Sequence, residues 1–275
     1  MAHVLIAGES WTTTSVHLKG FDSFTTVSYE EGVGALRDAL LAAGHEVTFM
    51  PNHVAASQFP FSRQELEQYD VVMLSDIGSN TLLVPPQTFA RSEALPNRLA
   101  VLRDWTRAGG GVCMIGGYLS FQGIEAKANY RGTPIAEVLP VEIQLGDDRV
   151  ETPEHAAPRL VDDSHPVTAG LPAEWPAILG YQRVEAKPDA AVLASVNGDP
   201  LVVAGEAGSG RALAFMTDIG PHWAPPAFVE WPGYEQLWGM SPNGDRFLRF
   251  ASDAFGGFTL MLGWPSRLER EGAEQ

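Results

Sequence analysis

Asp218 and His222 are the pair of residue types that proton transfer requires, an imidazole that titrates near neutrality and a carboxylate able to orient it. Tyr118, preceded by Gly116 and Gly117, offers a phenol. A phenol ionises near pH 10, so Tyr118 is read as a hydrogen-bond donor or general acid rather than a nucleophile. Glu9 and Asp76 are carboxylates that could orient a polar ligand, with Asn80 and Ser120 as further polar contacts. Trp11, Tyr118 and Trp223 would form aromatic walls, and the two glycines would let a ligand approach the backbone closely. Each of these has a structural alternative. Asp76 could cap a turn, Glu9 could pair with Lys19 or Arg37, and His222 could be a buried, hydrogen-bonded core histidine. The histidines show no HxH or HExxH spacing, so neither a metal nor another cofactor is expected. Cys113 lies within an apolar run and reads as a buried, inert thiol. Gly205 to Gly210 (GEAGSG) lacks the Lys-Ser/Thr of a phosphate loop and reads as a hairpin turn.

The site candidates share one property: each follows or closes a short apolar run. Such runs at His3–Ala7, Glu46–Met50, Asp70–Leu74 and Val112–Ile115 alternate with helical patterns at Gly34–Ala43 and Leu95–Ala108. Strands alternating with helices predict βαβ units, a parallel sheet covered on both faces, and ligands at the carboxyl ends of its strands. Later strand candidates at Tyr181–Glu185, Ala191–Val196, Leu201–Ala204 and Ala212–Thr217 are separated by turn signals such as Asn197-Gly198, which predicts antiparallel strands at one side of the sheet. Helical segments are expected around Tyr234–Trp238 and Arg246–Ala254. The reading is one domain over residues 1–265 and a polar tail over 266–275. Two connections are unusually long: about twenty-five residues after Gly8 and about twenty after Asp76, lengths that point to function or assembly.

Composition narrows the functional classes. Of 275 residues, 34 are acidic and 18 basic, giving a net charge of -16. That disfavours nucleic acid and anionic membranes, which both require clustered Lys and Arg. The single cysteine excludes an internal disulfide, and the N-terminus enters a strand-like run without a basic leader, so a cytoplasmic location is expected.

Glu9 and Trp11 within GESW, the stretch GGGVCMIGGYLSFQG from Gly109 to Gly123, DSHPVTAGL from Asp163 to Leu171, and LVVAGEAGSGRALAFMTDIGPHW from Leu201 to Trp223 together resemble the class I glutamine amidotransferase-like proteins, in particular a bacterial group of about this length. The last two segments are also similar to trehalose-utilisation-type relatives. The resemblance implies a flavodoxin-like α/β sandwich with a mostly parallel sheet, and a strand–glycine turn–helix elbow around Gly116–Tyr118. It also implies a Cys–His–acid glutaminase in working members, with the acid two residues beyond the His. Here Tyr118 or Gly116, depending on register, takes the place of that Cys. His222 takes the place of the His, Ala224 stands where the acid belongs, and Asp218 or Glu230 would have to substitute. The expectation is a protein that binds or hydrolyses a small polar metabolite without classical glutaminase chemistry. The alternative is a non-catalytic binding or scaffold protein. A homo-oligomer is expected on either reading.

Overall fold

The computed structural model describes residues 1–238 together with the short strands Met240–Ser241 and Gly244–Asp245. The helix expected at Arg246–Ala254 and the tail 266–275 lie outside the described residues.

Five parallel strands form the centre of an eight-stranded sheet: His3–Gly8, Glu46–Met50, Val71–Ser75, Gly111–Ile115 and Gly210–Phe215. Numbered in chain order, they lie side by side as second, first, third, fourth and fifth, the flavodoxin-like order. Three antiparallel strands, Asp199–Ala207, Ala191–Val196 and Arg159–Leu160, extend the sheet beyond the fifth. Val71–Ser75 and Gly111–Ile115 are buried along their whole length, as strands covered on both faces must be. Asn197 and Gly198 both have positive φ at the hairpin between two of the antiparallel strands, and within GEAGSG the next hairpin turn is Gly208-Ser209, with Gly205–Ala207 and Gly210 paired in the flanking strands.

The helices follow the hydrophobic spacing. Gly34–Ala42 buries Leu36, Ala39 and Leu40 and is closed by Gly44, whose N–H bonds back to Leu41. Arg98–Arg107 buries Leu99, Leu102 and Trp105, and the Asn97 side chain caps it by accepting from the N–H groups of Leu99 and Ala100, both at 3.1 Å.

Three expectations are corrected. The long connection after Gly8 is no loop: Ser10–Lys19 and Asp22–Glu31 pair over ten residues as a hairpin separate from the main sheet. Its β-branched, alternating sequence is strand-like, but turn residues alone did not reveal it. The expected strand Tyr181–Glu185 is two strands broken at Arg183. Ile178–Gln182 pairs with Arg149–Ala156, and Val184–Ala186 with Val141–Ile143. Finally, no helix follows the Gly116-Gly117 turn. Residues 118–123 form turns leading into a single 3-10 turn at Ile124–Ala126. Phe121, Gly123, Glu125 and Ala126 all have positive φ, which a right-handed helix cannot contain, and the Asp148 carboxylate holds the N–H groups of Gln122 and Gly123 at 2.9 and 2.8 Å.

The candidate active site

The first and third parallel strands run side by side, although the second precedes the third in the chain. Ligands of flavodoxin-like sheets bind at this reversal point. Here the two strands end in Gly8-Glu9 and Ser75-Asp76, joined by a 2.8 Å bond from the Glu9 N–H to the Ser75 carbonyl. The approach is so close that a Cβ on Gly8, whose φ is +117°, would run into that carbonyl. Glu9 and Asp76 both adopt left-handed backbone conformations (φ 48° and 44°), uncommon for residues other than glycine. The turn after each strand therefore directs a carboxylate over the sheet edge.

A cavity of about 480 Å³ opens there, lined by Glu9, Trp11 and Gly32, by Asp76, by Tyr118, Leu119 and Ile124, and by Asp218, Gly220, Pro221 and His222. Four strand ends and the base of the hairpin thus converge. Glu9 is 3% exposed and accepts a 2.5 Å hydrogen bond from the Ser75 hydroxyl. Burial, reinforced by the charges of Asp218 and Asp76, pushes its carboxyl well above the usual range. Burial likewise raises Asp76, against a 2.6 Å hydrogen bond from the Leu119 N–H to its Oδ1. Asp218 is buried and accepts from the Ile219 N–H at 2.7 Å with Oδ1, while its Oδ2 lies 3.3 Å from His222 Nδ1. Glu230, the other candidate acid, is exposed and does not line the cavity.

Tyr118 meets His222 edge to face, with ring centroids 4.0 Å apart. The Arg149 guanidinium covers its ring at 4.6 Å. Burial raises the phenol's pKa, and the neighbouring Glu151 carboxylate raises it further, so Tyr118 is a neutral hydroxyl at physiological pH.

Of the remaining sequence candidates, all but Asn80 support this site from behind. Trp223 is buried, stacks beside His222 and donates to Glu151 at 3.0 Å, so it backs the wall rather than lining it. The Ser120 hydroxyl accepts from the Asp76 N–H at 3.1 Å. Gly117, at φ +143°, lets the chain pass the Asp76 side chain, which a Cβ there would approach to 3.1 Å. Gly116 packs so closely on the Met216 backbone that a Cβ would come within 2.6 Å of its carbonyl. Asn80 is exposed, in the short helix Ser79–Leu83, and does not line the cavity. Cys113 is buried in mid-strand, and burial raises its thiol well above the ordinary value. Among the described residues no group of three or more His, Cys, Asp or Glu is arranged to hold a metal ion, and no helix is long and apolar enough to cross a membrane.

Asn52, which the sequence places at the exit of the second strand, bonds through its amide to the carbonyls of Ser10 (2.6 Å) and Asp76 (3.2 Å) and so ties three strand ends together. Sequence reasoning missed other contributors. Gly32 closes the hairpin against Glu9, whose Oε1 would lie 2.6 Å from a Cβ at Gly32. Arg149 and Glu151, on a strand of a separate small sheet, carry no local signal.

The flavodoxin-like core, the glycine turn after the fourth strand and the His after the fifth define a class I amidotransferase-like protein. The family described as "Putative glutamine amidotransferase" matches residues 3–241, and the chain belongs to it. Two solved structures are similar along nearly their whole length. The cytoplasmic protein STM3548 of Salmonella typhimurium is 47% identical with a TM-score of 0.83, the match covering 86% of this chain and 95% of that one. The cytoplasmic protein STM1381 of Salmonella typhimurium LT2 is 42% identical with a TM-score of 0.85, covering 91% and 99%. A protein from Parabacteroides merdae described as thua-like shares the fold at 13% identity and a TM-score of 0.58, covering 96% of this chain and 95% of that one. The chain matches none of the curated proteins.

Proposed function

We propose that this cavity binds a small polar metabolite carrying an amine or other cationic group, and that His222, oriented by Asp218, transfers a proton to or from it in the cytoplasm. The observation that carries the reading is the convergence of Glu9, Asp76 and Asp218 on one cavity where, among the described residues, His222 is the only basic lining residue. Carboxylates that raise one another's pKa favour a cation between them and repel an anion. Trp11 adds an aromatic face suited to a cationic head. Tyr118, held neutral, donates a hydrogen bond, while Glu9 and Asp76 orient the ligand.

Glutamine hydrolysis is not the reaction supported. The turn presents a phenol where a thiolate is needed. The N–H that follows the apex, which an elbow uses to stabilise an oxyanion, is that of Leu119, and Asp76 already occupies it at 2.6 Å. The test is twofold. Incubation with glutamine should release no ammonia above the buffer control. In a thermal-shift panel of matched pairs, such as tryptamine against indole-3-acetate and agmatine against glutarate, only the cationic members should raise the melting temperature, and Asp218→Asn should abolish the rise. Ammonia release lost on His222→Ala, or stabilisation by the anionic members alone, would overturn this reading.

A further inference from the structure

The hairpin Ser10–Lys19/Asp22–Glu31 stands out from the body as an arm. Ten residues per strand at about 3.3 Å each make it about 33 Å long. It is a two-stranded sheet of its own, and almost all of its residues are exposed. An isolated two-stranded ribbon is at best marginally stable in water, so an arm of this length calls for a surface to lie on.

The pairing register sorts its residues onto two faces. One carries Trp11, Thr13, His17, Lys19, Phe24 and Thr26. This face is satisfied by its own contacts: His17 stacks on Phe24 at 4.5 Å and bonds to Thr26 at 3.0 Å, and Lys19 lies over the Phe24 ring. The other carries Thr12, Thr14, Val16, Leu18, Val27 and Tyr29. Val16, Leu18 and Val27 are 64%, 77% and 64% exposed, and Phe21 at the tip is fully so. Tyr29 near the base of this face meets His53 edge to face, while towards the tip Val16, Leu18 and Val27 form an apolar strip that no described residue covers.

We infer that the arm's apolar face is an interface with a second copy of this chain, the two arms exchanged across a two-fold axis. Charge argues for that occupant. The chain carries a net charge of -16. Glu30 and Glu31 stand at the base of the arm, and beyond them, from Ser10 to Tyr29, the only charged residues are Lys19 and Asp22, which cancel. Two strongly acidic copies can approach closely where their surfaces carry no net charge, and this outer part of the arm is such a surface. Area argues for reciprocity. One face of a ribbon this long offers about 300 Å², whereas a stable interface takes about 800 Å² from each partner. Exchange lets each subunit bury its own arm face, the patch that receives the partner's arm, and the tip around Phe21. The inference does not depend on the ligand proposed for the cavity.

The test is sedimentation equilibrium on the full-length protein. The wild type should be a dimer or larger at about 10 μM, the range of a modest interface. Val27→Glu should raise the dissociation constant about tenfold, and Leu18→Glu/Val27→Glu roughly 100-fold, as expected when apolar contacts at an interface centre are replaced by charge. Thr26→Glu, the adjacent residue on the opposite face, should change it by less than about threefold, as peripheral positions do. None of these side chains is in the core, and far-UV circular dichroism checks that the body stays folded. A wild type that remains monomeric through the micromolar range overturns the inference, as it would if the arm met a different protein or another part of its own chain. Unaltered association of Leu18→Glu/Val27→Glu, or equal loss in Thr26→Glu, overturns it as well.

Discussion

At the scale of single residues, Glu9 is constrained in three ways at once. Its backbone is left-handed, its side chain is buried, and two other carboxylates face it. Its folded pKa lies above the unfolded value because burial and like charge disfavour ionisation. The folded state therefore binds this proton more tightly than the unfolded chain. The stabilisation is fully present below the unfolded pKa and is lost as pH rises through the folded one. Glu9→Gln removes the ionisable group, so its melting temperature relative to wild type should climb by several degrees between pH 4 and pH 8 while it loses cation binding. An offset that stays flat with pH would refute the assignment. On the proposed function, a bound cation would compensate the ionised cluster, so a group unfavourable in the empty protein would become favourable on binding. Glu9, Asp76, Asp218 and His222 were all legible from their positions after apolar runs. Arg149 and Glu151 were not, because only the path of a separate small sheet brings them to Tyr118.

At the scale of elements, Arg98 shows how the short helices near the site are held. It is fully buried at the start of the helix Arg98–Arg107 and donates to five carbonyls: Leu82, Ala55, Phe59, Ala56 and Thr81. Four of them belong to the helices Asn52–Gln58 and Ser79–Leu83, whose last-turn carbonyls lack a full set of intrahelical donors; that of Ala55 is shared with the Phe59 N–H at 3.2 Å. The negative helix ends balance the cation in place of a carboxylate. Burial lowers its pKa to about 10, which still leaves it charged at neutral pH. Arg98→Met should cost about 3–5 kcal/mol in urea unfolding, the range for losing a buried charge-assisted network. Arg98→Lys should recover only part of that loss, since an ammonium has three donors and no fork. Recovery to wild-type stability would show that charge alone matters there. In the sequence Arg98 is one more polar residue in a helical pattern. The carbonyls it serves lie as many as 43 positions away, beyond any local reading.

At the scale of the whole molecule, the net charge of -16 and the arm act in opposite directions. The charge works to keep copies apart, and the apolar strip of the arm is the surface on which the inferred dimer would form. If the arm is the interface, raising the salt concentration from about 20 mM to about 200 mM should tighten dimerisation several-fold by screening the repulsion between the acidic bodies. Sedimentation equilibrium across that range would show it. Association that weakens with salt would mean that ion pairs, not apolar burial, hold the copies together.

The sequence by itself determined the alternating strands and helices of the parallel core, the hairpin turns of the second half and most residues at the sheet edge. Those features are written in hydrophobic period and turn chemistry, both properties of neighbouring residues. Three things were decided only in three dimensions. The residues after Gly117 turn instead of forming a helix because Asp148, from a distant segment, takes their N–H groups. Asp218, not a residue two positions past His222, stands beside the imidazole because of the way the loop after the last parallel strand folds. And the residues after Gly8 become an arm because ten cross-strand pairs form between segments of similar composition. Each depends on contacts between parts of the chain that no local pattern relates, and each bears directly on what the site and its surroundings can do.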